Sequence, residues 1–246
     1  MFWRKQRAAI EGFHPLHQAL IHHRAFTATL RPADWELLIQ SLARHDELVR
    51  RRKWSPPPRA RVVLVPLLRI LGEDMAAKGT LSVALDLRGP DLREKRTGVT
   101  KLPGDRQRRI RKILQWWAFD PWLRMRAELR DGSVLELTVT DRLRHRRISK
   151  TSRSGKHKSK NKTKTVQILT ATRKLPPGMP YQRPATPPPR WITPKFKEGR
   201  RTVIRASAKL AAASDERMLT EQILNVSTET FRWTPPGATR PVRRIG

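Results

Sequence analysis

The sequence predicts an α+β fold: N-terminal helices followed by an antiparallel β-sheet with a long basic β-hairpin arm and one or two packed helices. Three observations carry this reading. Apolar residues in the first fifty positions recur at helical spacing. From Thr80 onward several segments alternate apolar with polar residues. One alternating segment leads into, and another follows, the stretch RLRHRRISKTSRSGKHKSKNKTK, Arg142 to Lys164, which holds eleven Lys or Arg and no acid.

Residues 1–55 read as helical. Leu16, Leu20 and Ile21 mark a first apolar stripe, and Trp35, Leu38, Leu42 and Val49 a second. Asp34 and Glu36 suit the first turn of that second helix, and Arg50, Arg51, Arg52 and Lys53 its last, by their charge against the helix dipole. Pro56, Pro57 and Pro58 stop it, and 56–60 is a stiff linker. The apolar run Val62 to Gly72 is interrupted by Pro66, which leaves it either a helix or a strand followed by a helix. Leu81, Val83, Leu85 and Leu87 then alternate with polar or small residues as a half-buried strand.

Residues 105–119, DRQRRIRKILQWWAF, read as a helix capped by Asp105, with Ile110, Ile113, Leu114 and Trp117 buried. Arg106, Arg108, Arg109, Arg111 and Lys112 crowd its first two turns, where the dipole disfavours cations and a phosphate partner would offset the cost. Leu123, Met125, Ala127 and then Leu135, Leu137, Val139 form a hairpin. A two-residue Asp-Gly loop would mix its faces. A three-residue loop, Arg130-Asp131-Gly132, pairs Ala127 with Leu135, Met125 with Leu137, Leu123 with Val139 and Arg126 with Glu136, with Gly132 in the left-handed position.

The second strand of this hairpin runs into the basic stretch, and residues 164–175 return from it as a strand. The 61–175 core therefore carries an arm at 142–164, whose tip, 149–163, is expected to lack structure of its own. Residues 176–199 contain eight Pro and read as an extended connector. Residues 200–233 supply a strand near 202–209 and a helix capped by Ser214, with Met218, Ile223 and Leu224 as apolar contacts. Residues 234–246 read as a basic tail.

Charge dominates the functional reading. Among 246 residues, 53 Lys or Arg face 21 Asp or Glu, a net charge of +32. A compact state with that charge repels itself unless a polyanion neutralises it. A plain solubility charge is disfavoured because the cations are spread along most of the chain. Arg supplies 37 of the 53, which favours phosphates and base edges, and eight Trp accompany a single Tyr. Trp116, Trp122 and Trp191 can serve as core or stack on bases. The expected contacts are Arg106, Arg108, Arg109, Arg111 and Lys112 on the helix, and Arg142, Arg144, Arg146, Arg147, Lys150, Arg153, Lys156, Lys158, Lys160, Lys162 and Lys164 on the arm.

The expected partner is nucleic acid, RNA somewhat ahead of DNA, with other protein subunits in a ribonucleoprotein or DNA–protein assembly. Two alternatives stand beside it: a metal-dependent nuclease, and a peripheral protein dipping VVLVPLLRIL into an anionic membrane. The absence of Cys excludes disulfides and thiolate metal sites, and no metal or other cofactor is expected. His14, His17, His22 and His23 cluster without a carboxylate or Cys partner and are expected at the surface. Asp86, Asp91 and Glu94 before Lys95, and Glu128, Glu136 and Asp141, show no distinctive spacing. His145 near Lys150 is a nominal acid–base pair in the arm. No phosphate-loop, dinucleotide or nucleophile-elbow motif occurs, so catalysis is not expected. No apolar run reaches the ~20 residues of a membrane span. The expected location is cytoplasmic or with nucleic acid; the basic N-terminus leaves organellar import open.

Overall fold

The computed structural model describes residues 2–76, 78–105, 107–152 and 154–235; Arg106, Arg153 and residues 236–246 of the expected tail lie outside them. In chain order the main elements are α1 (Phe2–Glu11), α2 (Pro15–His22), β1 (Ala25–Leu30), α3 (Pro32–Ala43), α4 (His45–Leu48), α5 (Val65–Asp74), β2 (Leu81–Asp86), β3 (Thr100–Leu102), β4 (Ile110–Glu128), β5 (Val134–Thr151), β6 (His157–Lys174), β7 (Ile192–Lys197), β8 (Val203–Ala211) and α6 (Glu216–Phe231). The fold is α+β. Its antiparallel sheet runs β1-β2-β4-β5-β6-β8-β7, with β3 also on β4.

The strand period of two gives the sheet one apolar face. Leu81, Val83 and Leu85, Leu123, Met125 and Ala127, Leu135, Leu137 and Val139, and Leu169 and Ala171 are buried in one cluster. Leu20, Trp35, Leu38, Leu64, Leu67, Leu219 and Ile223 from the helices complete it. The segment around Pro66 is helical: a wide π-turn, Ala60–Leu64, leads directly into α5. Pro66 has no N–H for the Val62 carbonyl four residues earlier. The Thr220 hydroxyl on α6 lies 2.8 Å from that carbonyl oxygen, so the helix irregularity is met by a side chain from the far end of the chain.

The expected hairpin register is found residue for residue: Leu123↔Val139, Met125↔Leu137, Arg126↔Glu136 and Ala127↔Leu135. Leu129 N–H donates to Ser133 O at 2.9 Å, which leaves Arg130, Asp131 and Gly132 as the loop, with Gly132 at φ 80°. Glu136 lies 2.6 Å from Lys174 and 4.0 Å from Arg126, so its closer partner is on the other neighbouring strand.

Several expectations are corrected. Residues 110–119 form the first half of β4, not a helix. The segment is rich in β-branched and aromatic residues, and it is paired on both sides, with β3 through Leu102↔Ile113 and with β5 through Trp117↔Arg144. Asp105 closes the turn into β4 instead of capping a helix, exchanging backbone bonds with Ile110 at 2.9 and 2.7 Å. Gly104 crosses the strand so closely that a Cβ would strike the Ile110 and Arg111 carbonyls.

The tip expected to lack structure is also paired. β5 and β6 run from Val134↔Lys174 to Thr151↔His157 without a break. β5 is itself held by β4 out to Ile110↔Lys150, so each further β6 residue pairs with a strand already ordered. In the N-terminal region β1 interrupts the helices and pairs with β2, whose Leu81–Leu85 segment pairs in turn with β4. The connector ends in β7, an edge strand, where Pro194 costs no ladder bond on its free side. The cap of α6 is Asp215, whose carboxylate accepts from Met218 N at 2.8 Å; Met218 is exposed and Leu219 takes its place in the core.

Candidate nucleic-acid interface

The apolar cluster ends at a polar row across the sheet, Asp120↔Asp141↔Gln167. None of the cluster's members lies on residues 110–119, 142–151 or 157–166. Those segments are the distal halves of β4, β5 and β6, and they contain no Asp or Glu.

On the face turned away from the helices, the distal halves make three columns. The β6 column is Lys164, Lys162, Lys160 and Lys158, at every second residue and therefore on one side of the strand. The β5 column beside it is Arg144, Arg146, Ile148 and Lys150, and Arg142 extends it opposite Val166. The β4 column is Phe119, Trp117, Gln115 and Ile113, opposite Arg142, Arg144, Arg146 and Ile148. Three cross-strand pairs are like-charged: Arg144↔Lys164, Arg146↔Lys162 and Lys150↔Lys158. Such pairs destabilise a sheet in the absence of a counter-charge.

The arginines are held in place by their neighbours. Arg146 Nε donates to Gln115 Oε1 at 2.6 Å. The Arg142 and Arg144 guanidiniums sit 5.3 and 5.9 Å from the Trp117 ring centre. Phe119, at the head of the aromatic column, is 45% exposed.

The other expected contacts are scattered around this face. Arg147 points to the opposite side, with its Nε 3.3 Å from Ser159 Oγ. There Trp116 stacks on His145 at 5.2 Å and 9°, so the nominal acid–base pair of His145 and Lys150 is split between the two faces. Lys156 lies in the tip turn, where its carbonyl accepts from Ser152 N at 2.9 Å. Arg108 and Arg109 lie in the turn before β4, with Arg109 at φ 55° and Arg108 3.4 Å from Asp105. Arg111 and Lys112 open β4. With Lys101, Lys150, Lys158 and His157 they line a distal cavity of about 470 Å³ that has no acidic residue in its wall. Lys101, Trp117 and Phe119 were missed in the sequence. The strict alternation in KHKSKNKTK was the available signal that its lysines share a face.

The carboxylates are engaged elsewhere. Lys95 Nζ lies 2.6 Å from Asp120 and 2.9 Å from Asp86, bringing together residues with no telling spacing in the sequence. Asp120 is 2% exposed. Burial raises its carboxyl pKa against the pull of Lys95. The hydrogen bond from Arg88 does most to hold Asp86 well below the usual carboxylate range. Arg59 donates to Asp141 at 2.9 Å and to Glu216 at 3.1 Å and lies over the Trp122 ring at 4.5 Å. Among the described residues no group of three or more His, Asp or Glu is arranged to hold a metal ion.

The histidine expectation is corrected for His17, which is fully buried. Its Nδ1 is 2.9 Å from Ser41 Oγ and its Nε2 is 3.1 Å from His45 Nδ1, and it stacks on Phe13. Burial pushes its pKa down to about 3, aided by His45, Arg61 and His14. The apolar run proposed for a membrane surface lies in the core, with Val63, Leu64, Leu67 and Leu68 buried. Among the described residues no helix is long and apolar enough to cross a membrane. No protein-family model, curated protein or solved structure matches the chain.

Proposed function

We propose that this is a non-catalytic nucleic-acid-binding protein, with the distal halves of β4, β5 and β6 forming a basic hairpin arm that grips phosphate backbone. One observation carries the reading: three like-charged pairs stand directly opposite each other on one face, with no acid anywhere on the distal strands. In the free protein that arrangement is a source of repulsion, and a polyanion laid along the face removes it. The acid-free cavity at the tip, lined by Lys101, Lys112, Ser149 and Ser159 from the opposite side of the sheet and by Lys150 and Lys158 from this one, carries the basic surface around the distal end. Recognition is then mainly of phosphate, with low sequence specificity. RNA is favoured over DNA, and the Pro-rich connector suits a subunit that lies against neighbours in a ribonucleoprotein.

The test is affinity for duplex DNA, single-stranded DNA, RNA and anionic vesicles at several salt concentrations. Tight binding to a nucleic acid with a steep negative dependence of log K on log salt is expected. Changing Arg144, Arg146, Lys162 and Lys164 together to Gln should flatten the slope, by roughly 0.7–0.9 for each phosphate left without its cation. Preference for vesicles over every nucleic acid would sink the reading.

A further inference from the structure

The three columns differ in chemistry, and that difference points to the form of the nucleic acid. We infer that the face holds an unpaired strand, its phosphates along the β6 lysines and its bases toward Trp117 and Phe119 on β4. This rests on the nucleic-acid reading above and goes beyond it by naming the substrate class.

The aromatic column is the first argument. A surface that touches only duplex backbone has no use for an exposed Phe, because duplex bases are stacked inside. Phe119 is nonetheless 45% exposed beside a row of cations. Trp117, next but one along β4, is flanked by the Arg142 and Arg144 guanidiniums at 5.3 and 5.9 Å. Aromatic rings and guanidinium planes are the groups on which unpaired bases stack, whatever their identity.

The lysine spacing is the second. Alternate residues on a strand recur every ~6.7 Å, so the β6 lysines form a nearly straight row at that repeat. Phosphates of one strand in a stacked duplex advance only about 3.4 Å along the axis, and the backbone winds away from any straight row. A strand drawn out of its stack to roughly twice that rise meets one lysine per nucleotide.

The lateral order is the third. The β4 and β6 columns are two strand spacings apart, ~10 Å, with the β5 arginines between them. Cations on one side and aromatic rings on the other match the phosphate and the base at the two ends of a single nucleotide, with the β5 arginines beneath the sugar between them. Among the described residues the β6 edge beside the lysines has no strand partner beyond β5: β8 pairs with β6 only from Val166 to Lys174, which leaves residues 158–164 clear of it.

The experiment compares the full chain with pyrimidine-only single-stranded DNA, single-stranded RNA of matching sequence, and a duplex of the same length, using wild type, Phe119→Ala and Phe119→Trp. Phe119 is exposed, and thermal unfolding of both variants checks that the fold is unchanged. At least one single strand should bind more than tenfold tighter than the duplex, and which one identifies the sugar. Phe119→Ala should weaken that strand by about 5- to 100-fold, leave the duplex within twofold, and be rescued by Phe119→Trp. Duplex binding as tight as the better-bound single strand, or no effect of Phe119→Ala on that strand, overturns the inference and leaves the nucleic-acid reading standing. If none of the three nucleic acids binds, that reading itself fails.

Discussion

The three longest strands, β4, β5 and β6, are each two different molecules end to end. Their proximal halves bury Leu123, Met125, Leu135, Leu137, Val139 and Leu169 beneath helices, and the acids on their outer face are paired, Glu136 with Lys174 at 2.6 Å and Glu128 with Arg126 at 3.5 Å. Their distal halves share the same backbone ladder without that apolar cluster or any acid. The proximal half therefore provides the stability, and the distal half offsets some of it by holding cations side by side. The seam is the row Asp120, Asp141 and Gln167, tied to the body by Lys95, Arg59 and the Ala213 N–H. Each bond joins the start of the distal ladder to an element outside it.

Substitutions on the two sides of this seam should separate stability from binding. The largest effect expected is in the proximal half. Leu137→Ala opens a cavity between sheet and helices and should cost about 2–5 kcal/mol in denaturant unfolding. Nucleic-acid affinity at a temperature where both proteins are folded should be unchanged. A fall in affinity comparable to the loss of stability would show that the two halves are not separable.

Acid should act on the buried N-terminal histidines. The folded-state pKa of His17 is depressed to about 3 from a usual 6.5, and burial also lowers that of His45. The unfolded chain takes up these protons first, so their contribution to stability is complete above pH 6.5. It is lost as pH falls toward 3, with a slope of up to ~1.4 kcal/mol per pH unit for each proton. Asp120, raised by burial, works in the opposite direction at the lower end of this range. Between pH 6.5 and 4.5 wild type should lose about 2–3 kcal/mol in urea titrations, and His17→Gln should show a shallower slope. An equal slope in the variant would remove His17 as the cause.

What the sequence disclosed follows the range of the forces involved. The Arg130-Asp131-Gly132 loop was legible because three residues and their neighbours decide it: Gly132 accepts φ 80° and the flanking alternation admits one register. Residues 110–119 were not. Ile110, Ile113, Leu114 and Trp117 fit a helical stripe, and a strand with apolar residues on both faces has no alternation to oppose it. Pairing with β3 and β5, both distant in sequence, decided the matter. The Asp86–Lys95–Asp120 cluster was hidden for the same reason, since three elements converge there. The basicity of residues 142–164 was plain in composition, but the columns depend on register. Only the pairing of β5 with β4 sets Arg142 and Arg144 against Phe119 and Trp117.

On the distal side of the seam, Lys162→Glu with Lys164→Glu sets carboxylates opposite Arg146 and Arg144. Affinity for nucleic acid at low salt should fall by about 10- to 100-fold, because two phosphates lose their cations and meet anions instead. Titration with a labelled oligonucleotide reads this directly. Unchanged affinity would move the binding surface off this face.

The smallest effect tests the comparison most closely, because it concerns repulsion in the absence of any ligand. Lys162→Thr removes one like-charged pair, Arg146↔Lys162, and places a β-branched residue on a strand. In the proximal half, losing a charge breaks an ion pair such as Glu136 with Lys174. In the distal half it should relieve a strain. The midpoint of thermal unfolding should rise by about 1–3 °C at low ionic strength. The gain should shrink as salt screens the remaining cations, since exposed charges a few ångströms apart are damped once the Debye length falls to ~3 Å at 1 M. A rise that persists in high salt would come from strand propensity alone. A fall at low salt would mean that Lys162 already has an acidic partner in the free protein, and that the column is not held against its own charge.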